Sequence, residues 1–215
     1  MTEHAGWDAA RLRPAPGTGE RLATADYRSE FRAVQGDLRG RGSWKFERRQ
    51  EFVESGESWR SFQEGDWAAA VRLHERQHSA YAERVERLRE HGAPFRRVRV
   101  VEQPLTPYLQ WEMQAFRVQA AAGEQIRVIT PAALAGLEPE GPLPEVVVLG
   151  DRVLYEVVYT ERGALDGAVR HVDPELIACW SGFVEELYAA GEDLLVWFGR
   201  EVSHLPPPRA GARQR

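Results

Sequence analysis

Along the first part of the chain the apolar positions recur in steps of three and four, and after about residue 93 they fall into short runs. Tyr27, Phe31 and Val34 sit at i, i+4 and i+7, one apolar face of a helix. The stretch "SWKFERR" breaks this rhythm, because Trp44 and Phe46 alternate with Lys45 and Glu47 as in a half-buried strand. Asp66 then stands as an N-cap, and Trp67, Val71, His74, His78, Tyr81, Val85 and Leu88 form one stripe up to Gly92. The pattern predicts a single long helix over 66–92.

From residue 93 onward strands and helices alternate. "FRRVRVV" reads as a strand, and a helix follows that is capped by Thr106, has Pro107 at its first position and stops at Gly123. "EQIRVI" is a second strand, and "TPAALAGL" repeats the Thr-Pro helix start. "EVVVLGDRVLYEVVYT" is two apolar runs joined by a tight turn at Gly150-Asp151, and "GAVRHV" adds a further strand. A helix capped by Asp173 and a last helix in "EDLLVWFGREV" complete the series. The predicted fold is α+β: a single mixed sheet of about five strands with packed helices, preceded by a mainly helical segment with one short strand over 21–92. Residues 1–20 are expected as a flexible arm, 93–204 as the α/β domain, and the Pro-Arg stretch 205–215 as a disordered tail.

Composition narrows the function classes. A length of 215 residues suffices for one substantial core. The formal net charge of -5 argues against direct nucleic-acid binding. Lys45 is the only lysine, so any lysine-dependent chemistry falls on it alone. The lone cysteine, Cys179, lies in an apolar helical stripe and reads as a small buried residue of a reducing, cytoplasmic setting. No window approaches the ~18 apolar residues of a membrane span, and no membrane partner is expected.

The most pointed motif is "HERQH", residues 74–78. His-Glu-x-x-His on one helical turn is how zinc proteases present two imidazoles, with the glutamate as general base. On that reading His74 and His78 hold zinc, Glu75 activates water, and the protein is a zinc-dependent hydrolase. Arg72 and Arg76 weigh against it, since cations within one turn oppose a dication and the hydroxide it must create. His91, His171 and His204 have no spacing that announces a third ligand. Both histidines also continue the apolar stripe, where packing accounts for them. Gly-rich phosphate loops and Gly-x-Ser-x-Gly elbows are absent from the sequence. Arg96, Arg97 and Arg99 on the "FRRVRVV" strand read first as a solvated strand edge protected by charge, and second as a phosphate or carboxylate site.

The runs "FRRVRVVEQPLTPYLQWEMQAFRVQAAAGEQIRVI" and "LPEVVVLGDRVLYEVVYTERGALDGAVRHVDPEL" resemble the actinobacterial domain-of-unknown-function family DUF6879. With weaker similarity in "KFERRQEF" and "GDW", the likeness covers residues ~40–205. The family has no established activity, so the resemblance implies no particular reaction or cofactor; with no complete catalytic constellation in the sequence, no catalysis and no cofactor are expected. The likeness suggests a non-catalytic cytoplasmic binding protein, either an accessory of a helix-turn-helix transcription regulator or a small-ligand sensor. Within the matched motif, Tyr108, Trp111 and Glu112 lie in the first turns of the helix capped by Thr106, where free N–H groups and the positive dipole end favour an anion. Together with Arg97 and Arg99 on the preceding strand they are the candidate wall of a ligand or partner site. The alternative is packing, with Glu112 compensating the dipole and Trp111 in the core.

Overall fold

In a computed structural model of the chain, residues 7–15 and 17–208 are described. The parts of the expected arm and tail at 1–6, 16 and 209–215 lie outside them. The fold is α+β around one mixed sheet, and the sheet has eight strands where about five were predicted. These are β1 Glu20–Leu22, β2 Ser43–Glu47, β3 Phe95–Val100, β4 Gln125–Ile129, β5 Val146–Leu149, β6 Val153–Tyr159, β7 Leu165–His171 and β8 Glu192–Asp193. Their order is β1-β7-β6-β5-β2-β3-β4-β8, with β2, β3 and β4 parallel to one another and the other neighbours antiparallel. The missed β1 and β8 have three and two residues, too few for a period of two to show. Only their partners define them.

The helices are α1 Thr24–Asp37, α2 Glu57–Gln63, α3 Trp67–Glu75, α4 His78–Glu90, α5 Pro107–Ala121, α6 Pro174–Ala190 and α7 Leu194–Glu201. The predicted caps are in place: Asp66, Thr106 and Asp173 accept from the backbone N–H groups of Ala69, Leu109 and Glu175. The single helix predicted over 66–92 is broken into α3 and α4 at Arg76 and Gln77. Gln77 N–H bonds back to the His74 carbonyl at 2.9 Å, a tightened last turn. No Gly or Pro marks the break, so an unbroken stripe was the only local signal. Packing sets it instead, since α3 is held against α2 and α5 while α4 runs on along α5. "TPAALAGL" likewise forms only a 3₁₀ turn at Pro131–Leu134, without a side-chain cap from Thr130.

β2 comes from the segment expected to be mainly helical, yet it lies in mid-sheet between β5 and β3. β3 is therefore an interior strand, and its arginines do not guard an edge. Strand alternation assigns the faces. Trp44, Phe46, Val98 and Val148 point to one side, where Trp180, Phe183 and Leu187 of α6 cover them. Leu12, from the stretch expected to be a loose arm, is fully buried in that same cluster. On the opposite side the register sets Val147, Lys45, Arg97 and Ile126 in one row across β5, β2, β3 and β4. The outer members of the row are apolar and carry helices: α1 packs Tyr27 with Val147, while α5 and α7 pack over Ile126. The middle members are a lysine and an arginine. This polar strip between two apolar cores is where the chemistry lies.

Candidate functional site

At its inner end the strip closes on itself. Arg99 Nε donates to Glu112 Oε2 at 2.8 Å, and the two side chains are 0% and 7% exposed. Tyr108 donates its hydroxyl to Glu112 Oε1 at 2.9 Å. Glu145, also buried, accepts from the backbone N–H groups of Arg48 and Arg49 and from the Tyr159 hydroxyl. Burial pushes the Glu112 carboxyl up, Arg99 pulls it back and the neighbouring Glu47 charge adds to the rise, so the net direction is upward. Burial and Glu47 likewise raise Glu145, against Arg99. Such a cluster of acids is tolerated because Arg99 is shared among them.

Two residues back along β2 and β3, at Lys45 and Arg97, the strip opens. Glu47 is held by two cations, with Lys45 Nζ at 2.5 Å from one carboxylate oxygen and Arg97 Nη1 at 2.5 Å from the other. Burial pushes the Glu47 carboxyl up, but Arg97, Lys45 and Arg99 outweigh it and hold it down at about 2. Lys45 and Arg97 form the floor of a cleft of about 720 Å³, within the ~300–1,000 Å³ range of small-molecule sites. Tyr27, Phe31 and Arg32 of α1 make one wall, and Arg84, Val85 and Leu88 of α4 make the other. Phe95 adds a ring to the floor, edge-on to Phe31 with 6.4 Å between centroids. A second cavity, of about 660 Å³, lies between the 3₁₀ turn at Ala9–Leu12 and the start of α6. Its cations Arg11, Arg13 and Arg170 are matched in number by Glu20, Asp173 and Glu175. The first cleft has no such balance.

The residues proposed from the sequence divide between these surroundings. Tyr108, Glu112 and Arg99 are brought together as expected, but in the closed interior, where they bond to one another. Arg97 reaches the open cleft. Trp111 faces the other way: its indole N–H donates to Ser58 Oγ at 3.1 Å, and its ring lies 5.1 Å from that of His74. The HERQH residues are also separately engaged. Ser58 Oγ gives its proton to the Ala70 carbonyl at 3.0 Å, so His74 Nε2, 2.9 Å away, is the donor of that pair. Burial, then the Arg117 charge, lower the His74 pKa to about 4. Glu75 pairs with Arg117 at 3.0 Å, and His78 is exposed at the start of α4, beyond the break. Among the described residues no group of three or more His, Cys, Asp or Glu side chains is placed to hold a metal ion.

The cleft itself was missed, since its walls come from α1 and α4 and its floor from β2 and β3, with no local motif. One signal was present. The only lysine of the chain alternates with Trp44 and Phe46, so it had to project from the face opposite those two rings.

The fold and site define a class: an α+β protein with one mixed sheet whose buried ion-pair strip opens into a cationic cleft. Within it, the chain belongs to the family described as Domain of unknown function (DUF6879), whose model matches residues 29–199. That span holds β2 to β7, α4 and most of α1, and so nearly all of the cleft. No curated protein and no solved structure matches the chain. No helix among the described residues is long and apolar enough to cross a membrane.

Proposed function

We propose that this protein acts by binding, and takes a small ligand into the cleft between α1 and α4. The observation that carries this reading is a concentration of charge. A chain of formal net charge -5 gathers six of its cations, Lys45, Arg97, Arg28, Arg32, Arg84 and Arg89, around one cavity that also offers Tyr27, Phe31 and Phe95. Long cationic side chains around a cavity repel one another, and a fold needs a reason to tolerate the arrangement. An apolar concavity with a few convergent polar groups is the usual form of a ligand site. Of the two roles suggested by the likeness to DUF6879, the cleft supports small-ligand sensing.

The test is a thermal-shift comparison in the low-molecular-mass extract of the cells that make the protein. A saturating ligand should raise the wild-type Tm by about 5 °C or more, since ~100-fold excess over Kd is worth ~2.7 kcal/mol. Phe31→Ala, which removes part of one wall, should lose most of that rise. Equal rises in both proteins would place the ligand elsewhere, and no rise in either would remove the proposal's support.

A further inference from the structure

We infer that the cleft selects an organic anion: an acidic group seated on Lys45 and Arg97, carried on an aromatic or aliphatic body held between Phe31 and Leu88. This rests on the cleft reading above and adds the chemistry of the ligand. Three observations carry it.

The first is the charge count. Lys45 and Arg97 share Glu47, Arg84 takes Glu124, and Arg89 takes Glu86. Arg28 and Arg32 stand in no ion pair among the described residues. Six cations therefore meet three carboxylates, and the cleft retains a surplus of positive charge.

The second is unused donor capacity at the floor. An ammonium has three donors and a guanidinium five. Lys45 is paired only with Glu47. Arg97 gives one donor, at Nη1, to the same carboxylate, and its Nη2 makes no hydrogen bond among the described residues; its Nε is buried beneath the floor. An incoming carboxylate, sulfonate or phosphate finds donors free here while Glu47 stays bound beneath. Glu47 is deeply buried and holds both cations in place, so the anion meets a preorganised pair and not two mobile side chains.

The third is the apolar lining around these cations. Phe31, Phe95, Val85, Leu88 and Val147 line the same cavity. A bare inorganic ion would leave those surfaces wet, whereas an amphipathic acid covers them and satisfies the floor together. The size of the cavity suits a small molecule and excludes a folded partner.

The test uses two fluorescent probes that share a body and differ in charge: 1-anilinonaphthalene-8-sulfonate, and N-phenyl-1-naphthylamine, which lacks the sulfonate. Wild type should bind the sulfonate about tenfold more tightly, the scale of a charge-assisted hydrogen bond in a partly desolvated site. Lys45→Met should cut the preference to about twofold or less. Arg32→Gln, an exposed change at the mouth that leaves the core intact, should weaken only the sulfonate, by about twofold. Equal binding of the two probes by wild type, or a preference that survives Lys45→Met, would overturn the anion assignment. If Phe31→Ala weakens both probes while wild type does not discriminate between them, the cleft stands and only its proposed chemistry falls. If Phe31→Ala leaves both affinities unchanged, the cleft reading fails as well.

Discussion

Arg99→Met should cost the fold ~3–5 kcal/mol, the usual penalty for stranding one member of a buried pair. At 215 residues that lowers the Tm by about 6–20 °C. The size follows from what Arg99 holds. Its side chain is fully buried against Glu112, and its charge also steadies Glu145 and Glu47. Methionine fills much the same volume, so the loss is electrostatic and leaves little cavity. The double variant Arg99→Met/Glu112→Leu should recover at least half of the loss, because an apolar pair replaces an uncompensated carboxylate. Urea denaturation of wild type and both variants at pH 7 measures this. A single variant within ~1 kcal/mol of wild type would show that the interior cluster is hydrated and that its arginine is dispensable.

The second large effect is a loss of stability in acid that belongs to His74. Its folded pKa lies near 4, against 6.5 for the free side chain. Between those values the unfolded chain binds the proton and the folded chain does not, so stability rises with pH there. The contribution is complete above pH 6.5 and is lost as pH falls through 6.5 toward 4, amounting to ~3 kcal/mol over the full window. His74→Gln keeps a donor for Ser58 but has nothing to titrate. Its denaturation midpoint should therefore fall less than that of wild type between pH 7.5 and 4.5, by the equivalent of ~2–3 kcal/mol. His171, also lowered by burial, is present in both proteins and cancels in the comparison. Parallel pH profiles would mean that the His74 ring takes up its proton as readily in the folded state as in the unfolded one, and that its burial does not exclude the charge.

Much of the fold could be read from the sequence because its elements carry local signals. Thr106-Pro107 and Asp173-Pro174 announce α5 and α6, and the run around Gly150 announces the β5–β6 hairpin. The closeness of Tyr108, Glu112 and Arg99 was also legible, since Tyr108 and Glu112 lie one helical turn apart and Arg99 is on the preceding strand. What sequence reasoning misjudged was their environment. Charged residues on a strand read as solvated until the neighbours of that strand are known, and β3 proved to be flanked on both sides. The break between α3 and α4 had no sequence signal, because packing against α5 overrides an unbroken stripe. HERQH kept its spacing and lost its geometry there: His74 turns inward to Ser58 and Trp111, and His78 stays outside. The cleft depends on residues from 27 to 165, and no window of the sequence contains it.

The most direct test of the central claim uses the single lysine. An amine-acylating reagent can modify an ε-amino group at Lys45 alone, so peptide mass spectrometry reads the floor of the cleft without any mutation. With a ligand seated on the floor, the low-molecular-mass extract of the producing cells should slow acylation of Lys45 severalfold while leaving the α-amino group unaffected. Acylation of Lys45 at the same rate with and without the extract would contradict that claim, and would leave the cationic cleft without a ligand.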